Sequence, residues 1–300
     1  MSAEIDAAWA FRRYRQIQDR LPSARFSDRS VSYTGSLELI DTFDVFALDS
    51  FGVLNVGETA VPGAATVIDE LRHAGKKVFV LTNAASAPLA GLRGKYEAMG
   101  FDFAAEEIIS SRGLLASTLD EFDDGMIWAV AASPGAGIDE LPCHAVPLDE
   151  TSVRDADGII LIGMREWTPA DQHMLEQALI RNPRPVLVGN ADLAAPRENG
   201  FTLQPGAYAH ALIDATGIAP LFFGKPYRNA FDELLKRAGP EIEPGRIIMI
   251  GDTLHTDVLG GAAAGIATAL ATNHGILRGL DVDACIAESG IRPDFIMPTI

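Results

Sequence analysis

The sequence predicts a doubly wound α/β fold, with a parallel sheet between layers of helices and a second α/β module set into it. Three observations carry this. Short apolar runs of strand length each end in polar residues: Val45-Phe-Ala-Leu-Asp49, Lys76-Lys-Val-Phe-Val-Leu-Thr82-Asn83 and Arg246-Ile-Ile-Met-Ile-Gly251-Asp252. Helix-length stretches separate the runs, giving a βαβ order whose crossovers bring strand ends to one edge of the sheet. Between Asp124 and about Leu203 a strand-and-helix module of its own interrupts the pattern, which then resumes.

Composition limits what such a fold can do. The 300 residues are 48% hydrophobic, enough for a large core in two domains or in one with an insertion. Lys+Arg 24 against Asp+Glu 41 gives a net charge of −17, which argues against binding a nucleic acid backbone or an anionic membrane. A small phosphate ester is compatible with this acidity if a metal ion and local cations neutralise it. Cys143 and Cys285 are far apart and suggest neither a zinc site nor a disulfide framework. No basic and apolar leader opens the chain and no long apolar span follows, so a cytoplasmic location is expected.

Residues 4 to 20 place Ile5, Ala8, Trp9, Phe11, Tyr14 and Ile17 at helical spacing and predict an amphipathic helix ended by Leu21-Pro22. Residues 23 to 40 are polar and Ser-rich, and are expected to connect to the first strand, Val45 to Leu48. A helix through Ala74, the strand ending at Thr82, and helices over Pro88 to Met99 and Arg112 to Phe122 follow. Strands at Met126, Gly158 and Pro185 and a helix from Pro169 to Ile180 make up the interrupting module. The first module is expected to resume with Pro220-Leu-Phe-Phe-Gly-Lys225. The small residues from Gly260 to Ala271 suit tight packing of a helix on a strand.

The strand ends carry the chemistry. Asp49, with Gly52 turning the chain, stands where an open α/β sheet binds ligands, and is a candidate nucleophile or metal ligand. Asp252 and Asp257 lie across a strand-to-helix turn and can offer hard oxygens to Mg²⁺. Lys225, between Gly224 and Pro226, supplies a point charge for phosphate oxygens, and Thr82 and Asn83 can donate to the same anion. Singly, each is equally a cap, a turn former or a surface residue. Four strand ends giving a carboxylate, a hydroxyl, a lysine and an acidic pair in that order are hard to explain by coincidence.

This ordered set resembles the haloacid dehalogenase-like (HAD) hydrolase superfamily. Gly52-Val-Leu with Val61-Pro-Gly-Ala, Leu81-Thr-Asn83, Gly224-Lys225-Pro226, Gly251-Asp252 with Thr256-Asp257, and Asn190-Ala-Asp192 are similar to its class IIA branch of small-molecule phosphatases. The resemblance spans roughly residues 40 to 280. It implies a Rossmann-like core over 31–123 and 204–300, a class IIA cap over 124–203 and a helical extension over 1–30. It further implies Mg²⁺-dependent hydrolysis of a small phosphate ester through an aspartyl-phosphate on Asp49. Mg²⁺ would bind Asp49, the Phe51 carbonyl and Asp252. Thr82, Lys225 and the backbone near Phe51, Gly52 and Asn83 would hold the phosphoryl group, and Asp257 would orient water or Lys225. A homodimer is an expectation from family behaviour alone.

One departure bears on mechanism. The family's phosphatases carry a second Asp two residues after the nucleophile as general acid and base, where this chain has Phe51. General acid–base help contributes about 10²–10⁴ in rate. Slow turnover, a preference for good leaving groups, or a substitute acid is therefore expected, with Glu58 and His255 the nearest in sequence. Two alternatives stay open: a metal-free dehalogenase-type hydrolase, and a catalytically degenerate phosphate-binding protein.

Overall fold

Seven parallel strands form the main sheet, in the spatial order Val31–Ser32, Phe295–Met297, Ala267–Ala271, Ile247–Gly251, Val45–Leu48, Lys77–Thr82 and Ile108–Ser110. The structure is a computed structural model that describes residues 5–164 and 166–300. Glu4, the first residue of the predicted amino-terminal helix, lies outside the described residues. Both faces of the central strands are buried, which is why they read as continuous apolar runs. Phe46, Leu48, Val78, Val80, Ile248 and Ile250 pack on one side. Val45, Ala47, Phe79, Leu81, Ile247 and Met249 pack on the other, under the helix Arg228–Ala238. Leu48 pairs with Val80 on one flank and with Ile250 on the other, so the residues after these strands emerge side by side.

A second parallel sheet, ordered Leu221–Phe222, Val186–Val188, Gly158–Leu161, Ile127–Ala131 and His144–Pro147, is inserted between the strand Ile108–Ser110 and the strand Ile247–Gly251. Leu221–Phe222 was expected in the main sheet, yet it pairs with Leu187 and Val188 of the second. The helix Pro205–Thr216 goes with it, since Ala209 and Leu212 join the apolar cluster of Leu175, Leu179 and Val186. Apolar runs identify strands without stating which sheet they join, so the second module reaches past residue 203.

The segment after residue 22 is also more than a connection, because Val31–Ser32 adds an edge strand beside Phe295–Met297. Two residues give no periodicity to read. Between Gly260 and Ala271 the chain does make a helix turn and then a strand, and a Cβ on Gly260 would lie 2.3 Å from the Phe231 ring. Close backbone approach there requires glycine. Among the described residues no helix is long and apolar enough to cross a membrane.

The amino-terminal helix runs over Ala7–Ile17, with the Asp6 side chain accepting from the Trp9 amide at 2.6 Å as its cap. Phe11, Tyr14 and Ile17 are buried against Leu193, Leu254, Val258 and Ile286. The helix therefore touches the end of the main sheet and the segment leaving the second. Arg13 of this helix and Arg20 in the turn after it both pair with Asp214 on the helix Pro205–Thr216.

Candidate active site

The strand Val45–Leu48 delivers Asp49 to the carboxyl edge of the main sheet, and the next residues fold back sharply. Ser50 carbonyl accepts from the amides of Leu54 and Asn55 at 2.8 and 3.0 Å, and Gly52 amide donates to Asn55 carbonyl at 2.8 Å. Gly52 has φ of +81°, and a Cβ there would lie 2.5 Å from Asp252 Oδ2. Only glycine permits both the left-handed backbone and this approach of the turn to Asp252.

Lys225 holds the centre together. Its Nζ lies 2.6 Å from Asp49 Oδ1 and 2.7 Å from Asp257 Oδ1, and its side chain is 1% exposed. Burial alone would lower the lysine, but Asp257, Asp49 and Asp192 outweigh it and keep the ammonium charged. Asp257 Oδ2 accepts from the Thr253 amide at 3.0 Å, so both of its oxygens are engaged, one of them by Lys225. Asp49 Oδ1 also accepts from the Ser50 amide at 2.6 Å. Asp49 Oδ2 has no hydrogen-bond partner among the described residues.

Asn83 fixes Lys225 from behind. Its Oδ1 accepts from the Lys225 amide at 2.7 Å and from Ser111 Oγ at 3.2 Å, and its Nδ2 donates to the Lys225 carbonyl at 2.9 Å and to Asp192 Oδ1 at 2.8 Å. The side chain is fully used, so only the Asn83 backbone can face an anion. Thr82 is buried beside it and lines the same cavity as Asp49. Asp252 is held by Thr253 Oγ1 at 2.7 Å and by the Ile276 amide at 2.6 Å.

Carboxylates outnumber cations at this edge. One oxygen from each of Asp49, Asp252 and Asp257 lies within 4.8 Å of the others. Burial and the neighbouring Asp257 push Asp252 up to about 7. Burial, with Asp257, Asp252 and Asp192 behind it, raises Asp49 well above the usual carboxylate range against the pull of Lys225. Three clustered carboxylates facing one lysine leave negative charge for a further cation to offset, and all-oxygen donors suit a hard divalent one. The residues therefore fit a metal of that kind, with Asp49 and Asp252 as side-chain donors.

The structure gives the two suggested substitute acids other work. His255 is 1% exposed, stacks on Tyr14 at 5.1 Å, and is lowered by burial to about 3, so it is a neutral packing residue. Glu58 sits on the cavity rim with a largely exposed side chain, paired to Lys95 at 3.2 Å. Phe51 presents its ring to two cations, with Lys95 Nζ 4.7 Å and Arg197 Cζ 4.9 Å from its centroid. Lys95 and Arg197 left no sequence signal, lying in the last turn of a helix and in a hairpin. Asp192 did, through Asn190-Ala-Asp192, although its role as partner of Asn83 needed the fold; burial raises it to about 6. Phe51, Glu58, Lys95, Asp192 and Arg197 open on one cavity of about 880 Å³ between the strand ends and the second module.

Comparison with known proteins agrees with this arrangement. A haloacid dehalogenase-like hydrolase profile matches residues 46–138 and a HAD-hydrolase-like profile matches residues 222–300, together more than half the chain. Glycerol-3-phosphate phosphatase of Homo sapiens is 29% identical over 296 residues, covering 87% of this chain and 90% of that protein. A Caenorhabditis elegans protein with a NipSnap name is 29% identical over 270 residues, and this chain spans only 49% of its length. A solved structure from Cytophaga hutchinsonii, described as a possible sugar phosphatase, superposes with a TM-score of 0.78 at 26% identity, covering 90% of this chain and 98% of that one. With the ordered strand-end residues gathered at one sheet edge, the chain belongs to the haloacid dehalogenase-like hydrolase superfamily, in its class IIA branch.

Proposed function

We propose that this protein is a divalent-metal-dependent phosphomonoesterase with Asp49 as nucleophile. The observation that carries the reading is the fully buried Lys225 ammonium bridging Asp49 and Asp257 beside Asp252. Phosphoryl transfer asks for positioning and charge neutralisation, which this edge supplies. The names of the relatives, glycerol-3-phosphate phosphatase and acid sugar phosphatase, point the same way.

An Asp49 oxygen attacks phosphorus, the P–O bond to the leaving group breaks, and the electron pair departs on that oxygen. Lys225, oriented by Asp257 and Asn83, and Thr82 hold the phosphoryl oxygens. Water then hydrolyses the aspartyl-phosphate and releases inorganic phosphate. A divalent cation, most simply Mg²⁺, would be held by Asp49, the Phe51 carbonyl and Asp252, and would offset phosphoryl charge. The second module acts as a cap, since Ile162, Met164 and Tyr208 contribute to the cavity above the strand ends. Phe51 donates no proton, so turnover favours leaving groups that depart as stable anions.

The test is phosphate release from aryl phosphates of graded leaving-group pKa, with Mg²⁺ or EDTA, for the native chain and Asp49→Asn. Mg²⁺-dependent release that steepens with better leaving groups and disappears in Asp49→Asn is expected. Halide release from a haloacid in EDTA would instead support the dehalogenase-type reaction. Phosphate binding without turnover of any ester would leave the degenerate binding protein.

A further inference from the structure

We infer that Phe51, Lys95 and Arg197 form a leaving-group subsite that selects phosphate monoesters carrying a second anion, a carboxylate or a further phosphate. The inference rests on the phosphomonoesterase reading and adds the substrate class to it.

In-line displacement by Asp49 directs the leaving group away from the strand ends and into the cavity. Phe51, two residues after Asp49, lines that cavity, and Lys95 and Arg197 are the cations among its described lining residues. Both are half-buried. Their distances to one ring place the two charges within about 10 Å of each other. They reach it from separate parts of the chain: Lys95 from the helix Leu89–Ala98, and Arg197 from a hairpin that pairs Ala194–Arg197 with Gly200–Leu203. In a chain of net charge −17, two cations brought together on a cavity wall are a local exception.

Two acidic neighbours among the described residues lie on the outer side. Glu58, which pairs with Lys95 at 3.2 Å, has a side chain 72% exposed. Glu198 accepts from the Glu58 amide at 2.7 Å and lies across Gly57, so it closes the rim. Arg197 Nε donates to Thr202 Oγ1 at 3.0 Å, which sets the direction of its guanidinium. Burial lowers Lys95, Glu58 opposes this, and the nearby Arg197 adds to the lowering. An anion entering from the cavity would relieve the repulsion between the two cations and replace the solvated Glu58 as partner of Lys95. The Phe51 ring gives both cations an apolar floor and keeps carboxylate off the position nearest the nucleophile.

The test uses non-hydrolysable ligands, so it does not depend on turnover. Phenylphosphonate, 4-carboxyphenylphosphonate and benzene-1,4-diphosphonate are titrated calorimetrically into the full chain with Mg²⁺, and into Lys95→Gln, Arg197→Gln and the double variant. Charge-assisted hydrogen bonds predict that one of the doubly anionic ligands binds about tenfold or more tighter than phenylphosphonate. The tighter of the two identifies the anion. That advantage falls in each single variant and vanishes in the double variant, while phenylphosphonate affinity changes far less. Equal binding of all three ligands to the native chain overturns the subsite, as does an advantage that survives in the double variant. Binding of no ligand overturns the phosphoryl site and the subsite together, whereas loss of the advantage alone leaves the phosphoryl site standing. Thermal melts of the single variants show whether they are folded.

Discussion

Replacing Lys225 by Met tests whether this one cation holds the active edge together. Its Nζ serves two carboxylates at 2.6 and 2.7 Å, and the Lys225 and Asp257 side chains are 1% and 0% exposed. Removing one partner of a buried ion pair costs about 3–5 kcal/mol, and the upper end applies where two carboxylates lose the same cation. Whole-protein stabilities are about 5–15 kcal/mol, so the variant still folds in the cold. At about 2–4 °C per kcal/mol, its melting midpoint in EDTA drops by about 10–15 °C. Asp252, already pushed up to about 7, then holds a proton more strongly. A raised carboxyl pKa favours the folded state at low pH and loses that advantage as pH rises, so the deficit is smaller at pH 5.5 than at pH 8. A divalent cation restores more of the midpoint in the variant than in the native chain, about 2.7 kcal/mol at a hundredfold excess over Kd. Scanning fluorimetry in EDTA and in Mg²⁺ at both pH values measures all of this. A midpoint drop below about 3 °C at pH 8, or no gain in metal dependence, would refute the reasoning.

Three further outcomes follow from particular contacts. His210 is buried against Phe222, and burial with Arg20 and Arg13 nearby lowers it to about 4. The unfolded chain takes up this proton first, so stability is lost as pH falls from about 6.5 toward 4; at pH 5 the loss is about 2 kcal/mol, and urea melts of His210→Phe at pH 7.5 and 5 should show a drop smaller by that amount. Gly52→Ala strains a φ of +81° and drives a Cβ into Asp252, so metal affinity and activity should fall more than tenfold; Gly63→Ala, with φ of +84° and nothing within 4 Å, should lose only about 1–2 kcal/mol of stability and no activity. If packing and not charge secures the amino-terminal helix, Tyr14→Ala, which loses the stack on His255 and the bond from the Leu193 amide, should cost about 3–5 kcal/mol in denaturant melts. Asp214→Ala, at a side chain 42% exposed, should cost no more than about 1 kcal/mol.

Much of the site was legible because its chemistry sits at strand ends. A buried parallel strand is written as an unbroken apolar run, and the residue that ends it must reach the carboxyl edge. That local rule located Asp49, Thr82 and Asp252 without coordinates, and Lys225 by its place between Gly224 and Pro226. It was less reliable for membership, since Leu221–Phe222 looks like any short apolar strand and was assigned to the wrong sheet. It also missed Val31–Ser32, whose two exposed residues gain strand geometry only from Phe295 and Ile296.

What the sequence alone determined is that Asp49, Thr82 and Asp252 reach the edge of the main sheet, because each is fixed by its own strand, whereas Lys225 follows a strand of the second sheet. What only the tertiary structure decided is how those groups are shared and what surrounds them. Asn83 bonds to Lys225 across 142 positions and to Asp192 across 109, His255 becomes a neutral stacking partner of Tyr14, and Phe51 meets Lys95 and Arg197 from two distant segments. Side-chain partnerships of that kind have no period and no fixed spacing. They arise when loops from separate strands close on the same few ångströms, where burial and charge act through space and not along the chain.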